Sequence, residues 1–95
     1  EYLKQSLEWL ELALRQDPEI SIGWHQLAIA YAANGQEGMA ALASAERNFR
    51  DNNRRDAYIH AQRAMKMLPE GSPGNLRAQD IFEMVKPKNN RDVFE

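Results

Sequence analysis

The sequence contains no cysteine, no apolar run long enough to cross a bilayer, and no excess of basic residues. The lack of cysteine excludes disulfide bonds, thiolate metal sites and a cysteine nucleophile. A membrane-spanning helix needs roughly 20 apolar residues, so we expect no membrane insertion. Twelve basic and fourteen acidic residues give a net charge of −2. Because this balance provides no bulk attraction to nucleic acid, we expect no nucleic-acid partner.

Catalytic motifs are missing as well. The two histidines, His25 and His60, lie far apart in the sequence, and there is no His-Glu-x-x-His motif. A zinc hydrolase needs three protein ligands and a general base around an open metal position. We therefore expect no catalytic residue, no metal ligand and no cofactor in these 95 residues. The chain begins with Glu1 rather than methionine, which favours a fragment of a longer protein, and no signal peptide is visible.

Helical periodicity interrupted by turn residues is what the sequence does contain. Leu7, Leu10 and Leu14, preceded by Leu3, recur at the three- and four-residue steps of one helix face. Ser21 is a possible N-cap of the second helix, and Ser72-Pro73 has the pattern of an N-cap followed by the first helical residue. An all-α domain is expected over residues 1–86. Its helices are predicted at about 2–16, 20–34, 36–50, 54–68 and 73–85, with a polar tail at 87–95.

The second predicted helix carries Trp-x-x-Leu-Ala-x-x-Tyr at residues 24–31, an order close to that of the tetratricopeptide repeat. Pro18 and Pro69 both follow the small-residue pattern of a repeat's second helix. They are 51 positions apart (69 − 18), which is about one and a half repeats of roughly 34 residues. The third helix should therefore close one hairpin and open the next, in a tetratricopeptide-like superhelix of about five antiparallel helices.

The same spacing separates a predicted core from a predicted binding groove. The core is expected to contain the large residues of the repeat pattern and the alanines of the fourth helix: Trp24, Leu27, Ala28, Tyr31, Ala57, Ala61 and Ala64. Another side of the second helix is expected to line a concave groove, with Ile22, His25, Ile29, Ala32 and Ala33 as candidate binding residues. Some tetratricopeptide domains bind the C-terminal carboxylate of a partner through Lys, Asn and Arg at fixed positions of the groove. His25 and Ile29 occupy the corresponding positions of the second helix here, so a mixed apolar groove is expected instead.

Several stretches resemble a more particular family. They are Trp-His-Gln-Leu-Ala-Ile-Ala-Tyr at 24–31, Gly-Met-Ala-Ala-Leu-Ala at 38–43, Arg-Ala at 63–64, Leu-Pro-Glu-Gly-Ser-Pro at 68–73 and Arg-Ala-Gln-Asp-Ile at 77–81. Together they resemble the C-terminal tetratricopeptide domain of bacterial envelope zinc metallopeptidases of the periplasmic chaperone-protease type. The resemblance implies a periplasmic or envelope location and a zinc site in a separate protease domain. It also implies partners such as that protease domain or outer-membrane protein assembly components.

Two features of the sequence depart from that family pattern. Asn75 stands where such proteins carry a tryptophan, so the last helix is expected to be packed less firmly at its start. The turn at Asn52 and Asn53 lacks the usual glycine, although asparagine tolerates a left-handed backbone.

Residues outside the repeat pattern have ordinary structural interpretations. Glu46 and Arg50 have the favourable i, i+4 order of a solvated ion pair on a helix surface. His60 is expected in solvent. If Trp9 is exposed, we expect its side of the first helix to pack against a helix of a preceding repeat.

The leading functional hypothesis is a non-catalytic module that presents its groove to a protein partner, a substrate or the parent protease domain. One alternative is a regulatory part of the peptidase that catalysis requires. Another is an oligomerisation domain.

Overall fold

A computed structural model describes residues 2–87, apart from the side chains of Tyr2, Leu3 and Ser21. Residues 2–87 form five helices: α1 (Tyr2–Gln16), α2 (Ser21–Ala33), α3 (Glu37–Arg50), α4 (Arg54–Met67) and α5 (Pro73–Val85). Residues 2–87 contain no β-strand. The all-α prediction is confirmed, and each helix begins and ends within one residue of its predicted bound. The predicted tail lies outside the described residues, except for Pro87.

The turns after α2 and α3 have the same hydrogen-bond pattern. At the end of α2, Gln36 N–H donates to Tyr31 O over 2.9 Å, and Gly35 N–H donates to Ala32 O over 3.1 Å. Gly35 has φ +77°, as this Schellman-type cap requires. At the end of α3, Asn52 with φ +62° takes the place of the glycine. Asparagine is one of the few residues other than glycine that adopt this left-handed backbone. Asn52 therefore forms the turn without a glycine.

The starts of the helices differ in how they are capped. Helix α2 begins at Ser21 itself, and the apolar Ile20 occupies the N-cap position without a side-chain hydrogen bond, contrary to the Ser21 prediction. Helix α5 begins as predicted, because Ser72 Oγ accepts a hydrogen bond from Asn75 N–H and Pro73 is the first helical residue.

Asn75 does not loosen α5. Its side chain is buried, and its amide nitrogen donates to Met65 O over 3.0 Å. Its amide oxygen accepts from Gly71 N–H at 3.2 Å and from Gln79 Nε2 at 2.7 Å. The expectation of a weak helix start is wrong for this side chain, since Asn75 ties α5 to the end of α4 and to the turn between them.

Helix α3 is shared by two hydrophobic cores. It packs against α2, α4 and α5, whereas α1 packs mainly against α2. One core, between α1, α2 and α3, consists of Leu7, Leu14, Leu27, Ala30, Tyr31, Ala40 and Ala43. The other, between α3, α4 and α5, consists of Ala41, Leu42, Ala45, Ala57, Ala61, Ala64, Ala78, Ile81 and Val85. Because consecutive residues of α3 belong to different cores, this helix closes one helix pair and opens the next.

Small residues allow α3, α4 and α5 to approach closely. The alanines at positions 45, 57, 61, 64 and 78 are completely buried, which is typical of closely packed helix faces. At one end of this seam, Leu68 lies between two glycines. A Cβ atom at Gly38 would lie 2.8 Å from Leu68 Cδ2, and a Cβ atom at Gly74 would lie 3.0 Å from Leu68 Cδ1. Both glycines therefore make room for one leucine.

Candidate functional site

Two depressions on different sides of α2 and α3 are candidates for binding. The first, called the α2–α4 groove below, has α3 as its floor and α2 and α4 as its walls, with a volume of about 320 Å³. Its lining residues are His25, Ala28, Ile29, Ala32, Glu37, Ala40, Ala41, Ser44, Arg47, Asn48, His60 and Arg63. The backbones of α2 and α4 do not touch each other, so the groove stays open between them.

The five candidate groove residues do not share one surface. His25, Ile29 and Ala32 line the α2–α4 groove. Ala33 instead lines a separate depression between α1 and α2, which Ile29 also borders and which is neither of the two candidate sites. Ile22 is exposed and lines neither. At about 100° per residue these five positions span a stripe roughly 100° wide. Since α2 has a neighbour on each side, a stripe of that width divides at Ile29 between two depressions.

His60 lies in the α2–α4 groove and not in solvent as predicted. The residue is half-buried, and its Nδ1 atom is buried without a hydrogen-bond partner among the described residues. Burial, together with the nearby charge of Arg63, lowers the pKa of His60, while Asp56 opposes the shift. A lowered pKa favours the neutral imidazole. Among the described residues that line the groove, the arginines are Arg47, which forms an ion pair with Asp51 at 3.8 Å, and Arg63.

The second candidate site, called the arginine cavity below, is lined by residues of α1, α2 and α3 and by Arg77 of α5, and its volume is about 420 Å³. Its walls are mostly apolar, and charged side chains occupy its rim. The lining residues are Glu11, Leu14, Arg15, Pro18, Trp24, Leu27, Tyr31, Met39, Leu42, Ala43, Arg50 and Arg77. A concave apolar site with a few convergent polar groups is the usual form of a ligand pocket.

A buried carboxylate organises the charged side of this cavity. Glu46 is 5% exposed and accepts two hydrogen bonds from Arg77, from Nε at 2.6 Å and from Nη2 at 3.0 Å. Arg50 Nη1 also donates to Glu46 Oε1. The hydrogen bonds to Glu46 are the main cause of the raised pKa of Arg77. The predicted Glu46–Arg50 pair exists, but it is largely buried and includes a third residue from α5.

Trp24 forms part of the same cavity. Its Nε1–H donates to Pro18 O over 2.7 Å, and the Arg50 guanidinium lies 5.0 Å from the centre of its ring, within cation–π range. Nearby, Tyr31 donates its hydroxyl to Glu11 Oε2. Burial, followed by that hydrogen bond, raises the pKa of the Tyr31 phenol.

The predicted core residues differ in how deeply they are buried. Leu27, Tyr31, Ala57, Ala61 and Ala64 are buried. Trp24 and Ala28 are only half-buried, because Trp24 faces the arginine cavity and Ala28 faces the α2–α4 groove. The functional interest of Trp24 and Arg77 was missed from the sequence. The i, i+4 order of Glu46 and Arg50 was the one visible feature that could have led to this cluster.

No protein-family model, curated protein or solved structure matches this chain. Over residues 2–87, no helix is both long and apolar enough to cross a bilayer. In the same part of the chain, no three histidine, aspartate or glutamate side chains are grouped as metal ligands would be.

Proposed function

We propose that this chain is a non-catalytic protein-interaction module that holds a segment of a protein partner in the α2–α4 groove. The observation that carries the proposal is the composition of this groove. Ile29 is 54% exposed at its edge, and Arg63 lines the same groove. Arg47 also lines the groove, where it forms an ion pair with Asp51 at 3.8 Å. An exposed apolar anchor in a groove that also contains an arginine suits a partner segment that combines apolar and acidic side chains.

The helix arrangement supports a tetratricopeptide-like stack. Neighbouring helices pack in chain order, and Tyr31 and Leu27 of the repeat pattern are buried against α1 and α3. In such stacks, successive helix pairs bury a continuous core and leave a concave surface for binding. We extend the proposal to the parent protein on the sequence resemblance alone. The parent would be an envelope zinc peptidase, and this module would position its substrates or dock it on an assembly complex.

Site-specific photocrosslinking in cells tests the proposal. A photoreactive amino acid at Ala32, which is exposed in the groove, should give discrete crosslinked products, whereas the same amino acid at exposed Glu83 on α5 should not. Arg63→Glu should abolish the products from Ala32. Arg55→Glu reverses a charge on the same helix outside the groove and should leave them intact. Equal crosslinking from both positions, or no effect of Arg63→Glu, would refute a binding role for this groove.

A second candidate function is self-association through α1. Trp9 is 76% exposed and Leu12 is 51% exposed on the outer side of this helix, and an exposed apolar pair of this kind is often part of an interface. Sedimentation of the protein over a concentration series should show a dimer that Trp9→Ser dissociates. A monomer at every concentration would eliminate this candidate.

A further inference from the structure

The arginine cavity is separate from the α2–α4 groove and combines apolar walls with unbalanced positive charge. Leu14, Leu27, Met39 and Leu42 contribute apolar surface, and Trp24 lies against them. The cavity volume of about 420 Å³ falls in the lower part of the roughly 300–1,000 Å³ range of small-molecule pockets. The site is therefore of a size for a small ligand with an apolar body.

The charge of the cavity is positive. Arg15, Arg50 and Arg77 line it, and Glu11 is the one acidic residue in the lining that the described part of the chain provides. Glu46 lies behind the wall and binds both Arg50 and Arg77. One carboxylate balances one guanidinium, so this trio keeps one positive charge.

Both arginines keep donors for a ligand. A guanidinium has five N–H donors, and Glu46 accepts from Nε and Nη2 of Arg77 and from Nη1 of Arg50. The side chain of Arg77 is 36% exposed and that of Arg50 is 12% exposed. A guanidinium pairs well with a carboxylate. The wall of the cavity therefore favours an anionic oxygen-bearing group beside Arg50 and Arg77.

The rest of the lining limits what the body of the ligand can be. Apart from the charged residues, the side chains of the described lining that carry a polar atom able to donate are Trp24 and Tyr31. The Trp24 N–H already donates to Pro18 O, and the Tyr31 hydroxyl already donates to Glu11. A peptide backbone placed inside would leave amide groups without partners, which is unfavourable. An aliphatic chain carries no such groups.

We propose that the arginine cavity is a binding site for a free aliphatic monocarboxylate, with the chain against Leu14, Leu27 and Trp24 and the carboxylate beside Arg50 and Arg77. The proposal does not depend on the function of the α2–α4 groove. It assigns to this module a small amphiphilic ligand in addition to any protein partner.

Decanoate, titrated below its micelle-forming concentration, is the probe for the test. The chain has two tryptophans, so a Trp9→Phe variant leaves Trp24 in the cavity as the only indole. Decanoate should change the Trp24 fluorescence in a saturable way, and calorimetry on the unmodified protein should give the same affinity. Decanol, which has the same chain without the charge, should bind at least tenfold more weakly.

Two variants test the charged end, with one matched control. Arg77→Gln should weaken decanoate binding about tenfold or more, because hydrogen bonds to charged groups are the stronger kind. Arg15→Gln changes an exposed rim residue that makes no contact with Glu46, so it should fold normally and weaken binding several-fold. Arg63→Gln removes a positive charge from the other groove and should leave decanoate affinity unchanged. Circular dichroism checks the folding of each variant.

The following results would overturn the proposal. They are an absence of saturable binding, equal affinity for decanol and decanoate, or equal affinity of the Arg15→Gln and Arg63→Gln variants for decanoate. A short apolar peptide with a free C-terminal carboxylate is the competing ligand to be tested. Tighter binding of this peptide than of decanoate would overturn the assignment to a free aliphatic acid.

Discussion

Replacing Asn75 with alanine should destabilise the domain more than the replacement of a polar side chain on its surface would. In a continuous helix, the Met65 carbonyl would accept a hydrogen bond from the N–H of residue 69. Residue 69 is Pro69, which has no N–H, and the Asn75 amide donates to that carbonyl at 3.0 Å instead. The Asn75→Ala variant leaves the carbonyl without this donor, and it also removes the acceptor used by Gly71 and Gln79.

The size of the effect follows from the burial of these groups. Met65 is half-buried, whereas Gly71 is exposed and can bond to water. We therefore attribute most of the loss to the Met65 carbonyl. A buried polar group left without a partner costs about 1–3 kcal/mol, which places Asn75→Ala near 2 kcal/mol. For a domain of this size, that corresponds to a decrease of about 8–16 °C in the melting temperature.

Asn48→Ala is the matched control for this measurement. Its amide also donates to a carbonyl, that of Ser44, over 2.8 Å, but this carbonyl lies one turn back in the same helix, where the backbone already provides a donor. We expect a change within about 0.5 kcal/mol. Urea unfolding followed by circular dichroism measures both variants. A loss for Asn75→Ala no larger than that for Asn48→Ala would refute the role given to Asn75.

The family resemblance and the structure make opposite predictions for one further variant at this position. If tryptophan is the better anchor, Asn75→Trp should raise stability. The structure predicts a decrease, because the indole N–H is a donor only and cannot accept from Gly71 or Gln79. The same unfolding measurement distinguishes the two expectations.

Three further predictions concern the effect of Tyr31, Asn52 and Ala61 on stability. The pKa of the Tyr31 phenol is raised in the folded protein. The contribution of Tyr31 to stability should therefore be complete below about pH 10 and decrease as the pH rises further. Between pH 9 and 11, the melting temperature of Tyr31→Phe should fall less than that of the unmodified protein. Asn52→Ala should cost about 1 kcal/mol because of the positive φ, while Asn52→Gly should not destabilise; equal urea midpoints would contradict this. Ala61→Leu should cost about 1–3 kcal/mol by overpacking a completely buried position, whereas Gln62→Leu at an exposed neighbour should have little effect on the melting temperature.

Local sequence patterns were sufficient to predict the helices and much of their order. Prolines, glycine, asparagine and Ser72 determine where helices begin and end, and these signals act within a few residues. The spacing of Pro18 and Pro69 also predicted that α3 belongs to two helix pairs. Helical periodicity correctly assigned the buried alanines of α4, because a face that must pack closely has few other choices.

Contacts between distant residues could not be predicted in the same way. Arg77 reaches Glu46 from a different helix, 31 positions away, and no periodicity within α5 shows that partner. The split of the candidate groove at Ile29 had a related cause. Periodicity gives the angle of a residue around α2, but the division between two neighbours depends on where α1 and α4 lie. Asn75 could have been recognised only by asking which group replaces the missing N–H of Pro69.

Polar contacts hold the side chains on the charged side of the arginine cavity in place. Trp24 is fixed at one end by Pro18 O and is covered at the other by Arg50. Arg50 is held by Glu46, and Glu46 is held in turn by Arg77. These contacts connect the turn before α2 to α5 without using α1. A cavity supported in this way exists before any ligand enters, so binding there does not have to reorganise the core, and less of the interaction energy is lost to ordering side chains.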